Sequence, residues 1–293
     1  MMSRCQQPRK LVPRRNESFV YRRSEKVPPP LAAPQYAGRN MVRVHSPSPQ
    51  LVPYVEMLWY EDGDQAARHR ERILPGGGFM LVVELTGGPG VVIGMRSRNI
   101  EINPTAIHSV IGVIFRPGGA RPFFNVAAHE FHSNVVSLDL VWGCAVHGMR
   151  DRLREAPTVA EKFRLLEGEL HSRVQRRFGL HPAVQYGLTQ FHRRPHLGRV
   201  LEVARDAGLS RRRFAQLFRE QVGMTPKRYC RLHRFHNVTK QICAGGAVDW
   251  ADLALADGYS DQAHLSHEFR EFSGLSPSAF LSGRPFCSAI RVD

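Results

Sequence analysis

Ala204-Arg-Asp-Ala-Gly-Leu-Ser210-Arg-Arg-Arg-Phe214 and Ala254-Leu-Ala-Asp-Gly-Tyr-Ser260-Asp-Gln-Ala-His264 are two versions of one pattern. In each, Ala stands four residues before Gly, an apolar residue follows the Gly, and Ser opens a new amphipathic run. That is helix-turn-helix spacing. Gly208 and Gly258 can take positive φ at the turn without a Cβ clash. Ser210 and Ser260 are placed to cap the free N–H groups of the second helix. The small Ala204 and Ala254 let two helices cross closely. Two such units, about 50 residues apart, predict a chain that reaches into two neighbouring major grooves of DNA.

The flanking residues extend the repeat. Arg199–Ala207 is predicted as a first helix burying Val200, Val203 and Ala204, and Arg211–Gln221 as a second burying Phe214, Leu217 and Phe218. Gly223 ends that helix, and Pro226 begins a long one to about Ala244 that Gly245-Gly246 stops. The second unit starts from Asp249 as a cap and runs through Leu253, Ala254, Gly258, Ser260, Leu265, Phe269 and Gly274. Gly223-Met-Thr225-Pro226 after one recognition helix returns as Gly274-Leu-Ser276-Pro277 after the other.

Charge divides the 293 residues into three parts. Residues 1–50 hold ten Arg/Lys against two acids, residues 51–180 fifteen against fourteen, and residues 181–293 sixteen against ten. A basic C-terminal region suits a polyanion, because each neutralised phosphate releases condensed counterions. Arg, Pro and Ser dominate residues 1–50, which read as a disordered basic tail. The tail is open to three readings: an arm on DNA, a solvated extension, or a segment upstream of a true start at Met41. No apolar run approaches 18 residues and the N-terminus lacks an apolar secretory core, so we expect a cytoplasmic protein without a membrane span. Cys5, Cys144, Cys230, Cys243 and Cys287 are scattered and never spaced C-x-x-C, which argues against a disulfide framework or a zinc ribbon.

Residues 51–180 read as a β-rich domain with C-terminal helices. Phe79–Leu85, Val91–Ile93 and Val110–Phe115 are strands by β-branched content and Gly/Pro borders. Phe163–Leu170 and a segment beginning at Pro182 are helical. The fold class expected is α+β: a small antiparallel barrel or sandwich with helices. An all-α domain over residues 181–293 follows, with helix-turn-helix units at about 199–223 and 249–274 joined by a long helix. Arg193–Gly198 is the expected seam.

The C-terminal residues resemble the AraC/XylS family of bacterial transcription regulators over about 95 positions. In the first unit the resemblance rests on Ala204, Gly208, Ser210, Phe218, Gly223, Thr225-Pro226, Tyr229 and Arg234. In the second it rests on Leu253-Ala254, Gly258-Tyr259, Asp261-Gln262, His264, Phe269, Gly274, Ser276-Pro277 and Phe280. A looser likeness links Trp59-Tyr60, Glu71–Pro75, Gly112–Ala120, Pro122-Phe-Phe124 and Trp142-Gly143 to a poorly characterised sensor-like domain of some members. The resemblance implies a DNA-binding transcription regulator, leaning towards activation. Double-stranded DNA is its partner, and RNA polymerase, a small-molecule effector and a second copy of the chain are further candidates. No cofactor is implied.

By that resemblance the base-reading positions fall on Arg212, Ala215 and Gln216 in the first unit and on Gln262, Ala263, His264 and His267 in the second. Arg suits guanine, Gln suits adenine, and Ala can meet a thymine methyl. Ser210, Arg211, Arg213, Arg219, Lys227, Ser260 and Arg270 are the phosphate candidates. Arg205–Arg234 carries nine basic residues and two acids, whereas Val248–Phe280 carries one basic residue and six acids. The first unit is therefore expected to supply most of the affinity, with Asp261 and Glu268 placed to repel phosphate. Trp59, Phe79, Phe115, Arg116 and Phe123 are the candidate lining of an effector pocket.

An enzymatic reading is weaker. His129-Glu-Phe-His132 has i, i+3 histidines, whereas HExxH needs i, i+4, and a third ligand such as His108 or His147 is not fixed by the sequence. No metal site is expected. Glu71, Arg72 and Arg116 suit ion pairs or a pocket wall better than catalysis, and P-loop, nucleophile-elbow and dinucleotide signatures are missing. The alternatives kept are a ligand-independent DNA-binding adaptor and a metal-dependent enzyme domain fused to a DNA-binding module.

Overall fold

The computed structural model describes residues 42–62, 71–88, 90–102, 109–124, 126–175, 179–193, 199–245 and 248–282. Most of the basic tail, Met41, His108 and most of the expected seam lie outside these residues. The strands are β1 (Val42–His45), β2 (Val55–Asp62), β3 (Glu71–Ile73), β4 (Met80–Glu84), β5 (Val91–Ile93), β6 (Ile100–Ile102) and β7 (Ser109–Phe115). Helix α1 (Arg121–Phe124), a 3-10 turn at Ala128–Phe131 and strand β8 (Val135–Ser137) follow. Helices α2 (Leu138–Trp142), α3 (Ala145–Glu155) and α4 (Val159–Arg173) complete the N-terminal region.

Six strands form one antiparallel sheet in the order β1-β2-β7-β4-β5-β8, and β3 pairs with β6 as a separate ribbon. Strand β8 is not among the strands expected from the sequence. Side chains alternate between the two faces of the sheet. Leu58, Tyr60, Leu81, Val83, Ile111, Val113 and Phe115 face the helices, while Trp59, Val82, Val91, Ile93, Val110 and Ile114 form a second cluster on the other face. Gly112 stands opposite Trp59 in the register, and a Cβ there would lie 2.5 Å from the indole. The glycine lets the ring lie flat on the central strand.

The helical region comprises α5 (Pro182–Arg193), α6 (Val200–Asp206), α7 (Arg211–Val222), α8 (Pro226–Ala244), α9 (Trp250–Ala256), α10 (Gln262–Ser273) and α11 (Pro277–Ser282). It shares its core with the sheet, since one apolar cluster runs from Leu51 to Phe280. No helix among the described residues is long and apolar enough to cross a membrane. The cysteine expectation needs a correction: Cys144 and Cys243 each take part in a disulfide, and among the described residues only Cys230 is a free, buried thiol.

Candidate nucleic-acid interface

The two turns are built alike. Gly208 and Gly258 sit at φ 71° and 76°. One residue later, the N–H of Leu209 donates to the Ala204 carbonyl and that of Tyr259 to the Ala254 carbonyl, each at 2.9 Å. Up to this point equivalent residues differ by 50 in number. Beyond it the units separate. Helix α7 begins straight after Ser210, whose hydroxyl accepts the Arg213 N–H at 3.3 Å. Helix α10 begins one residue later, after Asp261, whose carboxylate accepts the His264 N–H at 2.7 Å.

Ser260 is therefore not the cap expected from sequence. Its hydroxyl donates to Asp261 at 3.1 Å, and its backbone N–H points to the His264 Nδ1 at 3.3 Å. Asp261 and His264 thus satisfy donors on either side of the helix start, much as a capping box does. The His264 N–H and then the Ser260 hydroxyl hold the Asp261 carboxyl below its ordinary range. The extra residue shifts every later equivalence to 51. Gln262 matches Arg211, Ala263 matches Arg212, His264 matches Arg213, His267 matches Gln216, and Glu268 matches Leu217.

Helix α7 spends Phe214, Leu217 and Phe218 on the core and leaves Arg211, Arg212, Arg213, Gln216 and Arg219 exposed, with Ala215 half-buried. The Gln216 amide donates to Glu220 at 2.9 Å, which fixes its direction along the helix. Lys227 is exposed on the first turn of α8. On α10, Gln262, Ala263, His267 and Arg270 are exposed. His264 is turned back: its Nδ1 faces Ser260, its ring meets Tyr259 edge-on, and its Nε2 lies 3.8 Å from Glu268.

The acids of the second unit are mostly committed to its own structure. Glu268 occupies a core position, with its side chain 3% exposed, and accepts from Arg231 at 2.8 Å and Arg234 at 3.2 Å. Glu271 pairs with Arg231 and lies 3.8 Å from Arg228. Burial opposes the charge on Arg231, but its bonds to Glu268 and Glu271 outweigh that and raise its pKa. Arg234 also donates to the Gly258 carbonyl at 3.0 Å and lies over the Tyr259 ring, so α8 grips the second turn directly. Asp249 caps α9 through the N–H groups of Ala251 and Asp252, and Asp257 accepts from Gln241 at 2.7 Å.

This revises the expectation that Glu268 repels phosphate: it is buried under two guanidiniums. It also trims the first unit's surplus, because Arg228, Arg231 and Arg234 face Glu268 and Glu271. Sequence reasoning missed Arg231 and Arg234 as supports of the second unit. The one available signal was an acid where the apolar stripe of α10 requires a core residue.

The expected effector lining does not converge. Trp59 belongs to the far face of the sheet, whereas Phe79, Phe115 and Phe123 are packed into the core between sheet and helices. Phe115 tilts against Phe123 with ring centroids 5.2 Å apart, and Phe79 meets Phe131 edge-on. Arg116 is exposed and donates to the Val52 carbonyl at 2.8 Å. Among the described residues, no group of three or more His, Cys, Asp or Glu is arranged to hold a metal ion.

Two stretches of the chain match known families. Residues 203–283 match a family described as a helix-turn-helix domain, and residues 43–137 match one described as a domain of unknown function (DUF6597). The chain is 32% identical over 81 residues to "Probable transcriptional regulator LumQ" of Photobacterium leiognathi, covering 28% of this chain and 32% of LumQ. It is 33% identical over 100 residues to a protein of Streptomyces antibioticus named as an AraC-like transcription regulator, covering 34% of this chain and 33% of that one. The matches thus span about a third of these relatives' own length. Among solved structures, ToxT of Vibrio cholerae overlaps 83% of this chain and 97% of its own, at 11% identity and a TM-score of 0.39.

Proposed function

We propose that this chain, whose C-terminal domain is an AraC-type double helix-turn-helix domain, is a bacterial, cytoplasmic, sequence-specific DNA-binding transcription regulator. The observation that carries the reading is the repeat itself. Two recognition helices follow identical glycine turns, each with a side-chain cap and an exposed first turn. Helices α7 and α10 enter consecutive major grooves on one face of the duplex, roughly 34 Å apart.

Arg212 and Gln216 read base edges from α7, with Ala215 against a thymine methyl. Arg211, Arg213, Arg219 and Lys227 hold phosphates, joined by Ser210. From α10, Gln262, Ala263 and His267 face the groove and Arg270 reaches the backbone, while Ser260 and His264 shape the helix start. The first unit supplies most of the electrostatic hold, since each phosphate contact it makes adds about one unit to the salt slope. The N-terminal region senses a small molecule or forms a dimer contact, and the protein acts as an activator through RNA polymerase. It has no catalytic role in this reading.

The test is genome-wide capture of DNA fragments by the purified full-length protein. A discrete motif with two half-sites about one helical turn apart is the expected result. Capture without an enriched motif contradicts sequence-specific binding.

A further inference from the structure

The repeat that aligns Gly223 with Gly274 also aligns two contacts to the N-terminal region. Each glycine is the left-handed residue that ends a recognition helix, at φ 104° for α7 and 75° for α10. Neither end is free. A Cβ on Gly223 would lie 3.3 Å from the Ala128 carbonyl oxygen and 3.4 Å from the Phe79 ring. A Cβ on Gly274 would lie 3.1 Å from the side-chain oxygen of Asn99. The opposite ends of the same helices, at Arg211–Arg213 and Gln262–Ala263, are exposed. Twelve residues separate the held end from the open end in each helix, a lever of about 18 Å.

One short loop meets Gly274 directly and joins the segment that meets Gly223. Residues 94–99 follow β5 and are strapped to the chain just after the 3-10 turn by Gly94 N–H to the Asn134 carbonyl (3.1 Å) and Ser133 N–H to the Met95 carbonyl (2.9 Å). Towards α7, the buried Ser97 hydroxyl meets His132 Nε2 at 2.9 Å, and the 3-10 turn just before His132 meets the end of α7 through the Ala128 carbonyl beside Gly223. Burial, then the guanidiniums of Arg228 and Arg219, holds this imidazole below its ordinary value, which keeps the joint neutral. Towards α10, the Asn99 N–H donates to the Phe272 carbonyl in the last helical turn at 2.9 Å. A third tie meets the helix between the units: His236 of α8 bonds the Pro75 carbonyl at 2.8 Å.

We propose that the loop Gly94–Asn99, with His132, is a spacer bar that fixes the separation and angle of the two recognition helices. Ser97, Asn99 and His132 are then positioning residues for DNA half-site spacing, acting through Gly223 and Gly274. Among the described residues these contacts lie at the ends of the helices opposite the exposed first turns, so the bar sets geometry without covering the reading surface. Spacing specificity therefore resides partly in the N-terminal region. This inference rests on the DNA-binding reading above.

The test uses full-length wild type, Ser97→Ala/Asn99→Pro, whose proline removes the N–H donated to Phe272, and His132→Ala on a captured site whose half-site spacing is varied from two base pairs shorter to two longer. Each added base pair turns the second half-site by about 35°, and wild type should lose at least about tenfold in affinity by two base pairs. Both variants should bind the best spacing within about tenfold of wild type while discriminating less than about threefold among spacings. Uniform weakening at all spacings, with discrimination kept, overturns the proposal by showing a merely structural role. Wild type that binds a single half-site equally well at every spacing also overturns it. Wild type that captures no motif instead removes the DNA reading beneath it, before any variant is compared.

Discussion

Helix α7 is capped by a serine hydroxyl and opens with three exposed arginines; α10 is capped by a carboxylate and opens with Gln262, Ala263 and His264. The same divergence reaches the core. Where the first unit buries Leu217, the second buries Glu268 under Arg231 and Arg234. One unit leaves the cations of its second helix exposed and holds together by apolar packing. The other turns its acids inward onto α8 and presents a nearly neutral face. Duplicated architecture thus permits unequal division of labour, because the turn glycines and caps fix the shape while the remaining positions are free to change charge.

The comparison can be broken first at Glu268. Truncating one member of a buried ion pair leaves the others uncompensated, so Glu268→Ala should lower unfolding free energy by about 3–5 kcal/mol. Leu217→Ala should cost about 2–5 kcal/mol by cavity formation alone. Glu268→Gln, which keeps the volume and removes the charge, separates them: it should retain most of the Glu268→Ala cost if the ion pairs rather than the packing carry it. A Glu268→Ala cost below about 1 kcal/mol would mean the second unit does not depend on its ion pairs.

Acid should act on the side of the first unit. Burial, with His236, His192 and Lys240 as positive or protonatable neighbours, holds His233 at about 3. An unfolded imidazole takes its proton near 6.5. Between those values the unfolded chain binds the extra proton, so this contribution is complete above about pH 6.5 and falls as the pH drops, by up to about 1.4 kcal/mol per pH unit. His233 packs on Tyr229 and His192. Amide exchange at pH 5 should therefore rise in α5 and α7 before α10, and a uniform rise would count against this placement.

The caps give a smaller effect. Ser210→Ala and Asp261→Ala should each cost about 0.5–2 kcal/mol in thermal unfolding. Ser260→Ala should cost less than either, because Ser260 is not the cap; a Ser260→Ala cost equal to that of Asp261→Ala would return the helix start to the serine.

Much of this was legible in the chain. Gly208, Gly258, Gly223 and Gly274 announce positive φ, and Thr225-Pro226 announces a helix start, so local chemistry suffices there. The extra residue before α10 was hidden because Ser260 and Asp261 are both good caps, and only the hydrogen bonds choose between them. The grip of Arg231 and Arg234 on Glu268 spans more than 30 positions, beyond any helical periodicity. The split of Trp59 from Phe115 needed the strand register, since a shift of one residue exchanges the faces of a sheet. The loop at 94–99 carries no motif at all; its meaning comes from what it touches.

The most direct test of unequal units is salt-titrated binding of a captured site by wild type, Arg212→Ala and His267→Ala. The account predicts a loss of about 1–3 kcal/mol for Arg212→Ala, with a salt slope shallower by roughly one unit if the guanidinium also neutralises phosphate. His267→Ala should lose less than about 0.5 kcal/mol with an unchanged slope, because it removes neither a guanidinium nor an ammonium group. Equal losses for the two variants would contradict the division of labour between α7 and α10.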